Sequence, residues 1–208
     1  MHKRTFYIFF LVCFFLLIQD SLGQAETSLR IHGSVGLSQM SEKSFGSGFW
    51  SGFGFSIPIN RDVHMSFNFG AWKSQVNSNA DGLQDGSLTV NPFFASLYYF
   101  LKLGNQSIAP YVFVGGGYIF SSFRMDDVVT IPEISFSQKI ENSPGGQIGA
   151  GIKIEVSKRI SLTSDVSYFY SKTSGTTILQ DLNFGTSTDE FSLRLNAIIF
   201  QLGIKFLI

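Results

Sequence analysis

His64 and Ser66 stand two residues apart in the stretch VHMSFNFG, residues 63–70. A strand has a side-chain period of two, so both would point to one side of it. An imidazole beside a hydroxyl is two-thirds of a hydrolase triad, the histidine serving as base and the serine as nucleophile. The third member is a carboxylate that orients the imidazole, and no spacing in the sequence supplies it. The pair therefore reads as two polar side chains on the inner face of a strand, hydrogen-bonded to neighbours. The glycines of GGQIGAG, residues 145–151, suggest a nucleotide loop. That chemistry needs a strand to end and a helix to open at the glycines. Here the alternation runs on to Val156, so the glycines read as small positions on a strand and no cofactor is expected. Asp81 with Asp85, and Asp126 with Asp127, could offer oxygens to a divalent cation. Their spacing matches no calcium loop, so they read as solvated loop surface and no metal site is expected.

Six charged or titratable residues share one parity in their segments: Arg30, His32, Lys153, Glu155, Asp165 and Lys205. Together they could line a conducting channel, or pair with one another and fill a narrow interior. Leaving one such charge buried and unpaired is expensive, which favours the pairing.

These residues depend on strands for their placement. Period-two alternation recurs along the chain. Leu29, Ile31, Val35 and Leu37 oppose Arg30, His32, Ser34 and Ser38. Phe49, Phe53, Phe55 and Ile57 oppose Gly48, Gly52, Gly54 and Ser56. Val63, Met65, Phe67 and Phe69 oppose His64, Ser66, Asn68 and Gly70. Ile148 to Val156 and Ile160 to Tyr170 alternate in the same way around a tight turn at 157–159. The last run carries Phe200, Leu202, Ile204, Phe206 and Ile208 on one side. Residues 92–103 and 111–123 are apolar on both sides, so their facing stays open. That makes eight strands, and no segment after residue 24 reads as an amphipathic helix. Composition agrees: the 208 residues include 23 Phe and 21 Gly, and only 14% are charged, where about 25% is usual.

The N-terminus reads as a targeting segment. His2, Lys3 and Arg4 precede an apolar run from Phe6 to Ile18, and Ser21-Leu22-Gly23 offers a cleavage site. This is the pattern of a secretory signal peptide over residues 1–23, and the run is too short to span a bilayer as a helix. Cys13, the one cysteine, lies inside it. The remaining chain, 24–208, thus has no disulfide or thiolate chemistry.

Connections alternate in length. Segments 41–47, 74–87, 124–145 and 173–190 are long, and 58–62, 104–108 and 157–159 are short. An up-and-down barrel gives that order, with long loops at one end and both termini at the other. The long loops hold ten acids against three bases, with Lys172 at their edge, while the short-turn end carries Arg61, Lys102, Lys158 and Arg159 with only Asp62. The large side chains Phe53, Phe55, Phe67 and Phe69 are too bulky to converge inside eight strands. Their face is therefore expected to meet hydrocarbon, with small polar residues inside. Tyr111, Tyr168, Tyr170 and Trp72 lie near strand ends, where interfacial aromatics sit. No basic patch for nucleic acid is present.

On these residues the chain resembles the small outer-membrane β-barrel family of Gram-negative-type bacteria, the OmpA/OmpX-like group. The best-matched pieces are PYVFVGGGY (110–118), GGQIGAGIKIEVSKRISLTSDVSYFY (145–170) and FQLGIKFLI (200–208). The resemblance implies an eight-stranded antiparallel transmembrane barrel, monomeric, with both termini periplasmic. It implies that Phe200, Leu202, Ile204, Phe206 and Ile208 form the signal read by the barrel assembly machinery. It implies outer-membrane lipid and lipopolysaccharide as partners, and host or matrix ligands met through the loops. A structural or surface-interaction role without enzymatic activity follows. The alternatives are a narrow porin-like channel and a lipid A-modifying barrel enzyme using His64 and Ser66.

Overall fold

The computed structural model describes residues 28–42, 44–76, 85–101, 107–125, 134–181 and 185–208. The expected signal peptide, residues 1–23, and the acids Asp81, Asp126 and Asp127 lie outside the described residues. Among the described residues ten strands follow one another: β1 (Arg30–Met40), β2 (Ser47–Pro58), β3 (Val63–Val76), β4 (Gly86–Phe100), β5 (Ile108–Met125), β6 (Ile134–Ile140), β7 (Ser143–Glu155), β8 (Ile160–Asp181), β9 (Gly185–Arg194) and β10 (Ala197–Leu207). Eight of them close on themselves in the order β1-β2-β3-β4-β5-β7-β8-β10, every pairing antiparallel, with β10 rejoining β1.

The register fixes the shape. Stepping from Arg30 across paired residues leads through Ser56, Ser66, Ser96, Gly115, Gln147, Phe169 and Ala197 back to β1 at Met40. The return point lies ten residues along the strand from the start. In an eight-stranded barrel that stagger corresponds to a strand tilt of roughly 40°. The interior is then about as wide as opposing side chains can fill.

Local chemistry sets the short turns. Asn60 Oδ1 accepts the backbone N–H of Asp62 at 2.9 Å and of Val63 at 2.8 Å, closing the β2–β3 turn. Ser157 Oγ accepts the N–H of Arg159 at 3.3 Å and of Ile160 at 3.1 Å between β7 and β8. Such side chains replace backbone partners where the ladder ends.

Outward positions carry large apolar groups on every barrel strand. Leu37, Phe53, Phe69, Leu97, Val114, Ile148, Val166 and Leu202, one from each, are 40–65% exposed. Rings stack along this face, with Phe53 on Phe69 at 5.2 Å and Phe55 on Phe67 at 5.1 Å. Ile198 to Ile208 on and beyond β10 rises about 25 Å at 3.3 Å per residue and that tilt, the height of a transmembrane apolar band. Outward charges on the barrel strands, Lys73, Arg124 and Lys172, come only towards the long-loop end. Tyr168 and Tyr170 face outward as expected, at 41% and 53% exposure. Tyr111 does not: it points inward, at 1% exposure, and Trp72 points inward at 2%, the side that its spacing from His64 and Ser66 gives it.

Two segments expected to be loops are ordered. Within 124–145, β6 forms and pairs with the far half of β8, Ile140 opposite Gly175. Within 173–190, β8 runs on to Asp181 and turns into β9, which pairs with it from Lys172–Arg194 to Asp181–Gly185. A three-stranded sheet, β6-β8-β9, therefore extends the wall beyond the barrel. They read as loops because they are the long connections between the eight strands with clear alternation. The β-branched residues Thr173, Thr176, Thr177 and Ile178 in KTSGTTILQD are the strand signal there.

Candidate functional site

Described residues of the barrel's interior fall into three zones. In the half nearer the long loops, large apolar side chains fill the interior among small buried hydroxyls such as Ser38, Ser74 and Ser171. Trp72, Val90, Phe94, Ile119, Phe169 and Ile199 are 0–2% exposed and belong to one cluster. Phe169 meets Trp72 edge-on at 5.1 Å and Phe94 at 5.7 Å, and Trp50 tilts against Trp72 at 5.7 Å. Small polar residues were expected inside, and large apolar side chains take much of this half instead. The signal lay in the two runs of open facing: Val90, Phe94, Tyr98 and Phe100 on β4, with Tyr111, Phe113 and Ile119 on β5, all turn inward.

The half nearer the termini holds a second aromatic cluster of Tyr98, Phe100, Tyr111 and Phe113. Cations sit on its faces. Lys153 Nζ lies 5.1 Å from the Phe100 ring centre, and Lys205 Nζ lies 4.9 Å from Tyr98 and 5.7 Å from Tyr111. Desolvated cation–π contacts of this kind are worth about 2 kcal/mol.

Between the two clusters lies a polar cavity of about 40 Å³ whose lining includes His32, Ser34, Asn68, Asp165, Gln201 and Lys205. Asp165 accepts a hydrogen bond from the Tyr111 hydroxyl at 2.8 Å and a second from Gln201 Nε2. His32 Nε2 lies 2.8 Å from Asn68 Oδ1, which places its proton on Nε2. His32 Nδ1 and Asn68 Nδ2 have no hydrogen-bond partner among the described residues.

The six expected lumen residues thus share the inner face, but they do not form one network of ion pairs. Lys153 and Glu155 pair at 2.7 Å, the ion pair described among the six. Lys205 leans on rings, while Asp165 and His32 bond to neutral groups. Arg30 stands at the terminal-end rim, across from Leu207 and Ser56.

His64 and Ser66 are both inward and buried, at 6% and 0% exposure. The Ser66 hydroxyl is within reach of Phe55 O at 3.2 Å and Asn68 Oδ1 at 3.1 Å. His64 packs on the Phe100 ring at 4.6 Å. The two side chains are held by different neighbours, and the hydroxyl faces an amide where a triad would present the imidazole. Among the described residues no group of three or more His, Cys, Asp or Glu could hold a metal ion. Phe200, Leu202, Ile204, Phe206 and Ile208 lie on the outer face of the closing strand, 36–71% exposed.

Solved structures with this geometry are all-β barrels that cross membranes. OprG from Pseudomonas aeruginosa superposes with a TM-score of 0.61 at 14% identity, covering 88% of this chain and 96% of that one. The fold is that of a small outer-membrane β-barrel. Neisserial surface protein A matches with a TM-score of 0.54 at 13% identity, over 88% and 97% of the two chains. AlkL, an outer membrane protein whose structure was determined in lipid bilayers, matches at 0.53 with 18% identity, over 88% and 90%. No family model and no curated protein sequence matches the chain.

Proposed function

We propose that the protein is an integral outer-membrane barrel with a structural and surface-interaction role. Its termini face the periplasm, and the β6-β8-β9 sheet stands outside the cell. The observation that carries this reading is the exposed apolar belt on a closed barrel. A water-soluble barrel would present that much contiguous Phe, Leu and Ile to solvent only at the risk of aggregation. In hydrocarbon the same belt is favourable, and closure leaves no backbone group unpaired.

The interaction role rests on the outer sheet. Residues 185–190 of β9 are all exposed, and Asp189 and Glu190 carry charge there. The aromatic clusters above and below the small cavity support a lumen closed to solutes, with its charges seated on rings. Expression followed by membrane fractionation tests the reading. The protein should stay with the outer membrane after alkaline and urea extraction and migrate differently on gels before and after boiling. Recovery as a compact monomer without detergent refutes it.

One observation favours a second reading, a narrow channel: the polar cavity occupies mid-lumen. Planar-bilayer recording separates the two. Silence across the voltage range supports the closed lumen, and steady single-channel steps overturn it.

A further inference from the structure

Two rows of hydrogen bonds flank the mid-lumen cavity. In one, the Ser66 hydroxyl and His32 Nε2 both donate to Asn68 Oδ1, at 3.1 and 2.8 Å. In the other, Trp50 Nε1 donates to Ser34 Oγ at 3.3 Å, and Ser34 Oγ donates to Gln201 Oε1 at 3.1 Å. Gln201 Nε2 and the Tyr111 hydroxyl then donate to Asp165. Members of both rows line the cavity, and so does Lys205.

Three groups there have hydrogen bonds left to make. His32 Nδ1 carries a lone pair, since the proton of that ring is on Nε2, and it is buried without a partner among the described residues. Asn68 Nδ2 carries two N–H groups and is likewise buried without a partner among them. Lys205 stands directly across from His32 in the register and is 9% exposed. Its ammonium rests on the Tyr98 and Tyr111 rings, which attract the charge but offer its three N–H groups no oxygen or nitrogen. Buried polar groups are as a rule bonded to protein or to ordered water.

The mixture of charges and bonding groups decides what fits. An anion would meet the Asp165 carboxylate and the His32 lone pair. A cation would meet the Lys205 ammonium and the Asn68 N–H groups. A neutral molecule that both donates and accepts suits all four. The cavity measures about 40 Å³ and a water needs roughly 10–15 Å³ of such space, so there is room for about three.

We propose that the mid-lumen cavity is a binding site for a cluster of about three waters, which accept hydrogen bonds from Lys205 and Asn68 and donate them to His32 and Asp165. The cluster joins the two rows into one network across the barrel and links the Lys205 and Asp165 charges through water. It goes beyond the membrane-barrel reading, since it depends on the closed lumen and not on what wets the outer face.

The test uses the full mature chain refolded in detergent micelles with nitrogen-15 side chains, and the probe is water itself. Water–protein Overhauser measurements should show long-lived water at the Asn68 amide and the Trp50 indole, with Asn68→Leu and Trp50→Phe identifying the two signals. Ser34→Leu places an apolar side chain in the cavity and should abolish the Asn68 signal, while Ser34→Thr should keep it. Absence of long-lived water at Asn68 in the parent overturns the proposal, and so does an undiminished signal in Ser34→Leu. Saturable quenching of Trp50 by iodide in a Trp72→Phe background would make the occupant an anion and overturns it too. Asn68 and Gln201 share no hydrogen bond, so a double-mutant cycle with Asn68→Leu and Gln201→Leu gives a second measurement. Their effects on the unfolding constant should couple by about twofold or more through the waters, and independent effects overturn the proposal. Heat-modifiable migration reports barrel formation for every variant.

Discussion

Leu202 offers the most direct test of what wets the outer face. It is 64% exposed and lies on β10, four residues from Ile198 and six from Ile208. At 3.3 Å per residue and a tilt of roughly 40°, it stands about 10 Å below the upper edge of the belt and about 15 Å above the lower. That is near the midplane. Replacing Leu202 by Arg should cost about 2–4 kcal/mol in a bilayer, whereas Phe206→Arg, near the lower interface, should cost about 0–1 kcal/mol. In water the same substitutions at exposed positions would stay within about 0.5 kcal/mol of zero. Reversible guanidinium unfolding in phosphatidylcholine vesicles measures the difference. Trp50 and Trp72, the only two tryptophans, both point into the barrel and report its opening. A Leu202→Arg penalty below about 0.5 kcal/mol, equal to that of Phe206→Arg, would refute hydrocarbon contact.

Phe169→Ala should destabilise the barrel by about 3–5 kcal/mol in the same assay, because the ring is fully buried between Trp72 and Phe94. Gly149→Ala should cost about 1–3 kcal/mol, since its new Cβ would meet the Phe113 ring, and adding Phe113→Leu should recover part of the loss. Joining Thr177 to Asp189 through an Asn-Gly turn removes the hairpin tip together with the β8 partners of residues 134–137; the barrel should still form, by heat-modifiable migration, while binding to surface ligands is lost. Ser66→Ala should leave lipid A unchanged by mass spectrometry in overexpressing cells; loss of an acyl chain with the parent that this variant abolishes would reinstate hydrolase chemistry at His64 and Ser66.

The barrel was legible because most strands are amphipathic with period two. Wherever one face carried Phe, Ile or Leu and the other Gly, Ser or Asp, the outward side followed directly, as at Ile148, Ile152 and Ile154. Strands β4 and β5 were not legible in that way. Phe93 and Phe94, or Val112 and Phe113, are equally apolar neighbours that face lipid and lumen respectively. Hydrophobicity alone does not separate two apolar environments, so only the register decides. The shared inner face of Arg30, His32, Lys153, Glu155, Asp165 and Lys205 was readable by parity. Their partners were not, because a sequence does not say which strands meet. Lys205 reaches Tyr98 and Tyr111 across the lumen, from strands separated by about a hundred residues.

The glycines show why the interior could be aromatic at all. They suggested a cramped inner face of small polar groups. In the register, inward glycines stand directly across from inward rings: Gly117 from Phe94, Gly149 from Phe113, Gly151 from Tyr111 and Gly54 from His32. A Cβ at Gly117, Gly149 or Gly54 would run into the partner ring or the backbone beside it. Large inward side chains do meet directly at Trp50–Trp72, Tyr98–Phe113 and Phe100–Tyr111, but Trp50, Phe113 and Tyr111 each have a glycine on their other flanking strand. At Phe94, Phe113, Tyr111 and His32 the glycine on the next strand leaves room for the ring, and the ring fills the space that the glycine leaves. Glycine alternation on the inner face is thus a sign that large groups fill the interior from adjacent strands. On the outer face, where no opposite wall confronts the side chains, Phe53, Phe69 and Phe93 follow one another across three strands with no glycine among them.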